Sequence, residues 1–534
     1  MDSNENSSRR ISTIEFLENK ANFFVRNHVL SLFIIGSIAL LLRLFYFPST
    51  IPITLDGLFY FWYAIDISIL GHFPTGYAIN NNGWPTFLSI FFSIFHSNKF
   101  MDYMTIQRLL TLSISVLTII PIYFLCRRFF DKSYALVGSA LFVFEPRIIQ
   151  NSLLGLTEPL YIFLITFSTY FFLGSNKKQI YIGFAIAALA SLVRSEGLFI
   201  LFALSIMFFI RFRKERRVIA KYAIAIAIIV LILLPMAIIR IQTTGSDGLT
   251  SRISSRTADV LTSSTGGSEK ISLISYLING LENTVKFFGW SLIPIFIFFI
   301  PLGFLLILKN RNHNNTTIIV IMILMSIPAF YGLSQASDTR YLFPFYPLFC
   351  ILSIYAIKRY NIKFKNHNTF LILLVSGILL SSMLFLDFKK MDTKHEEEAL
   401  SLAYQVANRT SVINSYYPES GYLIITAMTQ ISNFPILHAE FKGESIKQIN
   451  IHAKNMEEYI KSGKDAGLTH LVLDGTDNFQ NRPTFFKDVF LHEEKYPYLI
   501  KTYDSWDHGY KYHLKIFKID YNEFQSIINK NNVS

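Results

Sequence analysis

Long apolar runs alternate along this chain with short polar breaks, and the runs have the length of membrane crossings. A spanning helix needs roughly 17–25 mostly apolar residues. Runs of that kind cover 29–47, 106–126, 218–239, 287–308, 318–335, 341–357 and 369–386. Between 129 and 210 the chain is also nearly all apolar, broken at 151–159, at Lys177-Lys178 and at 194–197. Basic clusters order these runs into a topology, because short loops rich in Lys and Arg stay cytoplasmic. Such clusters occur at Arg127-Arg128, Lys177-Lys178, 211–217, 309–311 and 358–365. If each is cytoplasmic, an even number of crossings separates neighbouring clusters. The breaks at 151–159, 194–197, 241–280 and 334–340 then fall on the outer face, as does the first loop, 48–105. About eleven crossings result.

The same pattern divides the chain into parts. Residues 1–28 are polar, carry Arg9, Arg10, Lys20 and Arg26, and lack the short apolar core of a cleavable signal. They are expected in the cytoplasm, with the first run acting as an uncleaved anchor. Residues 29–387 form the membrane domain. Its first outer loop holds two apolar segments too short to span, 58–70 and 86–95, which read as helices lying at the interface. Tyr60 lies in the first and Trp84 at the start of the second, as interface anchors or as walls of a substrate pocket. The loop 241–280 is rich in Ser, Thr and Gly, a composition suited to a mobile lid or a plain linker. Beyond 387 the composition turns charged. Helical patterns at 396–407 and 456–466, a short buried strand at 469–474 and a terminal hairpin over 498–518 predict an extracytoplasmic α/β domain over 388–534. In that hairpin Trp506-Asp507-His508-Gly509 occupies the turn.

Composition agrees. Hydrophobic residues make up 51% and charged ones only 16%, which excludes an ordinary soluble protein. The net charge of +12 does not imply nucleic acid, because most basic clusters lie in the short loops that set orientation. Cys126 and Cys350 fall within or at the end of apolar runs, so no disulfide framework is expected. Lys99, Arg108, Arg147, Arg240, Arg252 and Arg256 sit on the outer side against the charge rule, and basic residues kept there are candidates to bind something anionic.

The topology gathers Asp56, Glu158, Arg194, Glu196, Asp338 and Arg340 at one membrane face. Each also has a plainer role. Asp56 can cap the helix that follows, and Glu158 before Pro159 suits a helix start. Arg194 and Glu196 can pair to close a hairpin, and Arg340 can pair with Asp338 at a rim. Tyr341, beside Arg340, is an interface anchor or a sugar platform.

In chain order, Arg43 with Leu55-Asp56-Gly57, Gly83-Trp84-Pro85, a span ending in Cys126-Arg127-Arg128-Phe129-Phe130, Leu156-Thr157-Glu158-Pro159-Leu160, Leu192-Val193-Arg194-Ser195-Glu196-Gly197 and Arg340-Tyr341-Leu342-Phe343-Pro344 resemble the GT-C superfamily of integral-membrane glycosyltransferases. The nearest branch is that of protein O-mannosyltransferases and the lipid A aminoarabinose transferase. Many members pair two acids in the first loop, whereas this chain has Asp56-Gly57, a departure from O-mannosyltransferases proper.

The resemblance implies a multi-pass plasma-membrane enzyme of GT-C fold. It implies a donor sugar on a polyprenyl-phosphate carrier and an acceptor that is protein, lipid or glycan. It makes Asp56 the base or acceptor-binding acid, Glu158 a second catalytic acid, and Arg194 and Arg340 the arginines facing the donor phosphate. Tyr60, Trp84, Glu196 and Tyr341 are pocket candidates. A divalent ion (Mg or Mn) between Asp56 and Glu158 could assist, although no ligand-spaced His or Cys cluster supports it. The chemistry suits the residues: attack by a hydroxyl needs a base, and a departing phosphate needs the planar fork of arginine. Two alternatives are an oligosaccharyltransferase-like enzyme and a transporter without catalysis. A transporter would place polar residues at mid-membrane, usually in repeated halves.

Overall fold

The computed structural model describes residues 27–53, 55–75, 77, 81–248, 273–310, 312–336, 338–364, 366–390, 392–416, 446–475 and 483–531. The cytoplasmic segment expected over 1–28, except its last two residues, and the body of the lid-like loop, 249–272, lie outside them. The chain forms two compact units. One comprises Met1–Phe47, Tyr77–Phe87 and Gln107–Lys390; the other comprises Pro48–Gly76, Leu88–Ile106 and Met391–Ser534.

The first unit is helical and is that of an integral membrane protein. Among the described residues of the chain, six helices are long and apolar enough to cross a bilayer: His28–Phe45, Phe100–Cys126, Val218–Thr244, His313–Ser334, Thr339–Asn361 and His367–Phe388. Other expected crossings correspond to shorter helices, Lys132–Val143, Glu158–Phe172, Lys177–Val193 and Gly197–Phe212. The run 287–308, expected as one span, is broken. A helix Leu273–Leu292 ends there, a 3-10 turn covers Phe296–Phe298, and a new helix runs over Ile300–Lys309. Proline explains the break: Pro294 offers no N–H to continue the first helix, and Pro301 suits the opening turn of the second.

Arg43 pins the first helix to its neighbours. It is completely buried, yet every bond it makes goes to a neutral group. Its Nε donates to Ser152 Oγ at 3.2 Å and its Nη2 to Ser115 Oγ at 3.1 Å. Its Nη1 donates to the Ala39 and Val143 carbonyls, each at 3.1 Å. An arginine placed in an apolar unit must find such acceptors, and these lie on four different helices.

The second unit contains most of the loop 48–105 and the C-terminal residues. The loop folds as a helix over Leu55–Leu70 and contributes the end of the helix Gly83–Ile94. Their aromatic residues pack edge to face, Phe61 on Phe92 at 5.7 Å and Phe92 on Tyr103 at 5.7 Å. The C-terminal residues form a five-stranded sheet. Its strands are β1 (Val412–Tyr416), β2 (Lys447–Gln448), β3 (His470–Asp474), β4 (Leu499–Asp504) and β5 (Leu514–Ile519). Their order is β2-β1-β3-β5-β4, with β1 parallel to β2 and β3, and β5 antiparallel to β3 and β4. Asn455 caps the helix Met456–Asp465 by accepting from Glu458 N–H at 2.8 Å. That helix buries Tyr459 and Ile460 against Leu471, Phe486 and Phe517.

The hairpin β4–β5 turns through a 3-10 segment over Trp506–His508, closed by Gly509 at φ +79°. Asp504 anchors the turn: it accepts from Trp506 N–H at 3.1 Å and lies 3.0 Å from His513 Nε2. Burial pushes its carboxyl up, but the His513 bond and the Trp506 N–H outweigh it and hold the group below the ordinary range. A folded value below the unfolded one, about 3.9, adds stability that is complete above about pH 4 and is lost as pH falls through the folded value. Protection of the β4–β5 amides against hydrogen exchange is therefore expected to drop below about pH 4, and Asp504→Asn to flatten that dependence.

Candidate active site

The site is built on an irregular turn between the helices Pro146–Ser152 and Glu158–Phe172. Backbone leaving a helix inside an apolar unit must have its polar groups satisfied by protein. Here side chains from two other segments do it. Thr111 Oγ1 donates to Ser152 O at 2.8 Å and Arg108 Nε to Leu153 O at 3.1 Å. Gly155 O accepts from Gln107 Nε2 at 2.7 Å and from Trp84 Nε1 at 3.2 Å. Gly155 itself has φ +72°, a conformation glycine adopts without steric cost. Trp84, a pocket candidate from the sequence, is thus fully buried as a strut beneath this turn.

The turn delivers Glu158 to the first turn of its helix, after the N-cap Thr157 and before Pro159. A second turn supplies its partner. The helix Lys177–Val193 ends at Arg194, whose backbone is extended, and Glu196 opens the helix Gly197–Phe212. Gly83 backs onto this helix end: a Cβ there would meet the Leu192 carbonyl carbon at 2.7 Å and Val193 N at 2.8 Å. Arg194 Nη1 bonds Glu158 Oε1 at 2.5 Å and Thr157 Oγ1 at 3.3 Å, while Nη2 bonds Glu196 Oε1 at 3.1 Å. Its guanidinium carbon lies 5.8 Å from the Tyr341 ring centroid. Both acids sit at helix N-termini and the arginine at a helix C-terminus, the placement each charge prefers.

Four sequence candidates, Glu158, Arg194, Glu196 and Tyr341, therefore meet. Side-chain exposure is 2% for Glu158, 7% for Glu196 and 14% for Arg194. Two carboxylates, Glu158 and Glu196, face the Arg194 guanidinium. Arg340 follows a different pattern. Its Nε bonds Asp338 Oδ2 at 2.5 Å, with side chains 30% and 28% exposed. Both residues line a cavity of about 360 Å³ in the first unit, together with Trp290 and Phe343. Asp56 stands exposed in the first turn of Leu55–Leu70, and Tyr60 lies one turn on; both belong to the second unit.

Among the described residues, no group of three or more His, Cys, Asp or Glu side chains is placed to hold a metal ion. Glu158 and Glu196 are both turned on Arg194, a donor set matched to a guanidinium rather than to a divalent ion. Sequence reasoning missed the cavity and the struts Gln107 and Arg108. Arg108 had a signal, as a cation expected on the outer side; Gln107 had none, because one amide in an apolar run does not reveal its partner.

A family model for predicted membrane proteins, DUF2079, matches residues 98–418. The chain belongs to that family. No curated protein matches it. In fold, this DUF2079 member is similar to the oligosaccharyltransferase of Archaeoglobus fulgidus, with a TM-score of 0.56 and 13% identity over 84% of this chain and 69% of that one. A structure of the AglB oligosaccharyltransferase from that organism, in complex with an inhibitory peptide and a dolichol-phosphate, gives 0.55 and 14% over 84% and 70%. ArnT from Cupriavidus metallidurans bound to undecaprenyl phosphate gives 0.53 and 11% over 93% and 98%. These likenesses establish a GT-C fold, with a helical membrane unit and a small C-terminal sheet.

Removing the central guanidinium would strand two buried acids. Arg194→Ala is expected to cost about 3–5 kcal/mol, and Asp338→Ala, in a pair open to solvent, no more than about 1 kcal/mol. Thermal melting of the purified variants measures the difference.

Proposed function

We propose that this protein is an inverting glycosyltransferase that moves a sugar from a polyprenyl-phosphate carrier to an acceptor at the outer membrane face. The observation that carries the reading is the constellation in the membrane unit: a buried acid–arginine–acid corner, and a cationic cavity at the following arginine, on a GT-C fold. The fold neighbours bind dolichol-phosphate and undecaprenyl phosphate by their own descriptions, which makes a lipid phosphate the first donor class to test. In this reading the N-terminus is cytoplasmic and the C-terminal sheet domain faces outward from the plasma membrane.

The step is a single displacement. A hydroxyl oxygen of the acceptor attacks the anomeric carbon, and the bond from that carbon to the phosphate oxygen breaks. The phosphate leaves with the electron pair, and the hydroxyl proton passes to a carboxylate. Asp56 takes the proton or orients the acceptor, and Glu158 acts as the second acid. Of the two arginines assigned to the donor phosphate, Arg340 lines a cavity beside the partly exposed Asp338, whereas Arg194 is buried between Glu158 and Glu196. Arg194 with Glu196 then keeps Glu158 in position.

An oligosaccharyltransferase-like transfer to Asn is the second reading, favoured by the likeness to the archaeal enzyme over 84% of this chain. Against it, the soluble part lacks a Trp-Trp-Asp-Tyr-Gly motif of oligosaccharyltransferases: Trp506-Asp507-His508-Gly509 resembles it only in part and is the turn of the β4–β5 hairpin. An acceptor peptide carrying an Asn sequon, set beside lipid and glycan acceptors, separates the two readings.

The deciding assay measures sugar release from lipid-phosphate donors by the purified protein in lipid. Asp56→Asn is expected to lower turnover roughly 10²–10⁴-fold. Arg340→Ala should weaken donor affinity more than acceptor use. Full turnover in Asp56→Asn removes its catalytic role. Vectorial movement of a solute or lipid without sugar release would replace the enzyme by a transporter.

A further inference from the structure

At the far end of the helices Glu158–Phe172 and Gly197–Phe212, away from Glu158 and Glu196, basic groups gather from three segments. Arg211 lies in the last turn of Gly197–Phe212. Its Nη1 donates to the Phe172 carbonyl at 2.8 Å and its Nη2 to the Gly174 carbonyl at 2.6 Å. Arg128 follows the helix Ile119–Cys126, with its guanidinium carbon 4.4 Å from the Tyr170 ring centroid. His313 opens the helix His313–Ala336, and the next residue, Asn314, donates from Nδ2 to the Arg128 carbonyl at 3.4 Å. Arg211 stands close enough for its charge to act on both Arg128 and His313.

Among the described residues Arg128 and Arg211 form no ion pair, and Asp131, the acid that follows Arg128, is exposed and paired with neither. Glu215 in the neighbouring loop is taken by Lys177, at 2.9 Å, and by Lys221. Arg213, Lys214, Arg216 and Arg217 of that loop are exposed. Arg128 Nε and His313 Nε2 are buried atoms with no hydrogen-bond partner among the described residues, although both side chains are only partly buried. Unpaired buried nitrogens are costly and rare in native proteins. Two of them beside cations that repel one another point to an anion supplied from outside the chain. The surface leading away from the arginines is apolar: Ile120 and Phe124 precede Arg128, Phe209 and Ile210 precede Arg211, and all four are exposed. A phosphodiester with acyl chains uses both the cations and these apolar rows, whereas a free anion leaves the rows unused.

We propose that Arg128, Arg211 and His313 form a binding site for the head group of an anionic membrane phospholipid, with its acyl chains laid along Phe124 and Phe209. The phosphodiester oxygens accept from Arg128 Nε and His313 Nε2, and Arg211 supplies charge. The exposed basic loop draws anionic lipid to this end of the unit. The lipid is a bound structural component and not a sugar donor: the length of the helix Glu158–Phe172 separates its site from Glu158. The site holds whether or not sugar transfer occurs.

The test uses the full chain, stripped of lipid and purified in detergent at pH 8. Native mass spectrometry titrates phosphatidylglycerol and phosphatidylcholine of matched acyl chains, and melting checks folding. Phosphatidylglycerol is expected to bind about tenfold more tightly than phosphatidylcholine. Arg128→Lys and His313→Leu are each expected to reduce that preference about fivefold. Arg128→Lys keeps the charge, and His313→Leu removes none at pH 8, where an ordinary histidine is neutral. A preference set by surface charge alone therefore leaves both variants like the parent, and either variant decides the matter if the other fails to fold. The proposal falls if the two lipids bind equally, if a folded variant of either kind keeps the parent preference, or if inorganic phosphate displaces the bound phosphatidylglycerol.

Discussion

A polypeptide that leaves its helix among apolar helices has to find a hydrogen-bond partner for each carbonyl it exposes, and this protein's site exists because that condition is met at 152–157. Ser152, Leu153 and Gly155 direct their carbonyls at Thr111, Arg108, Gln107 and Trp84. Satisfied in this way, the turn can hold Glu158 at a helix N-terminus under near-complete burial. Loss of the Thr111 or Arg108 donor would take its bond from a carbonyl of the turn, which costs more than the bond itself contributes, whereas Gly155 O has two donors. The turn is therefore rigid by necessity, and what it carries is placed rather than merely tethered.

Three arginines of the membrane unit show how differently one side chain can be used. Arg43 is buried among neutral acceptors and ties four helices together. Arg194 is buried between two acids and fixes their separation. Arg340 meets Asp338 at the edge of a cavity. Burial and position, not residue type, separate a structural tie from a guanidinium that lines a cavity. Arg147 Nη2 has no hydrogen-bond partner among the described residues.

Much of the fold was legible in the residue pattern. Apolar runs of spanning length became helices, and the breaks at 151–159 and 194–197 became the two turns that carry Glu158, Arg194 and Glu196. In the second unit, the helices at 393–409 and 456–465, the strand β3 and the hairpin β4–β5 follow the predicted order. The run 287–308 misled because hydropathy has no term for the backbone: Pro294 and Pro301 divide a segment that is apolar throughout.

Local chemistry written along the chain was enough to specify a membrane-spanning helical unit, a small α/β domain and a set of ionisable residues near helix ends. Periodicity, charge and helix breakers act over a few residues, so one sequence exposes them. Which charges pair is another matter. Arg194 reaches Glu158 across 36 residues and Arg147 reaches the Ile293 carbonyl across 146. The burial that turns Trp84 from a surface anchor into a strut depends on helices far along the chain. Contacts of that kind are set by packing, where each side chain's environment is made by residues its own neighbourhood does not encode.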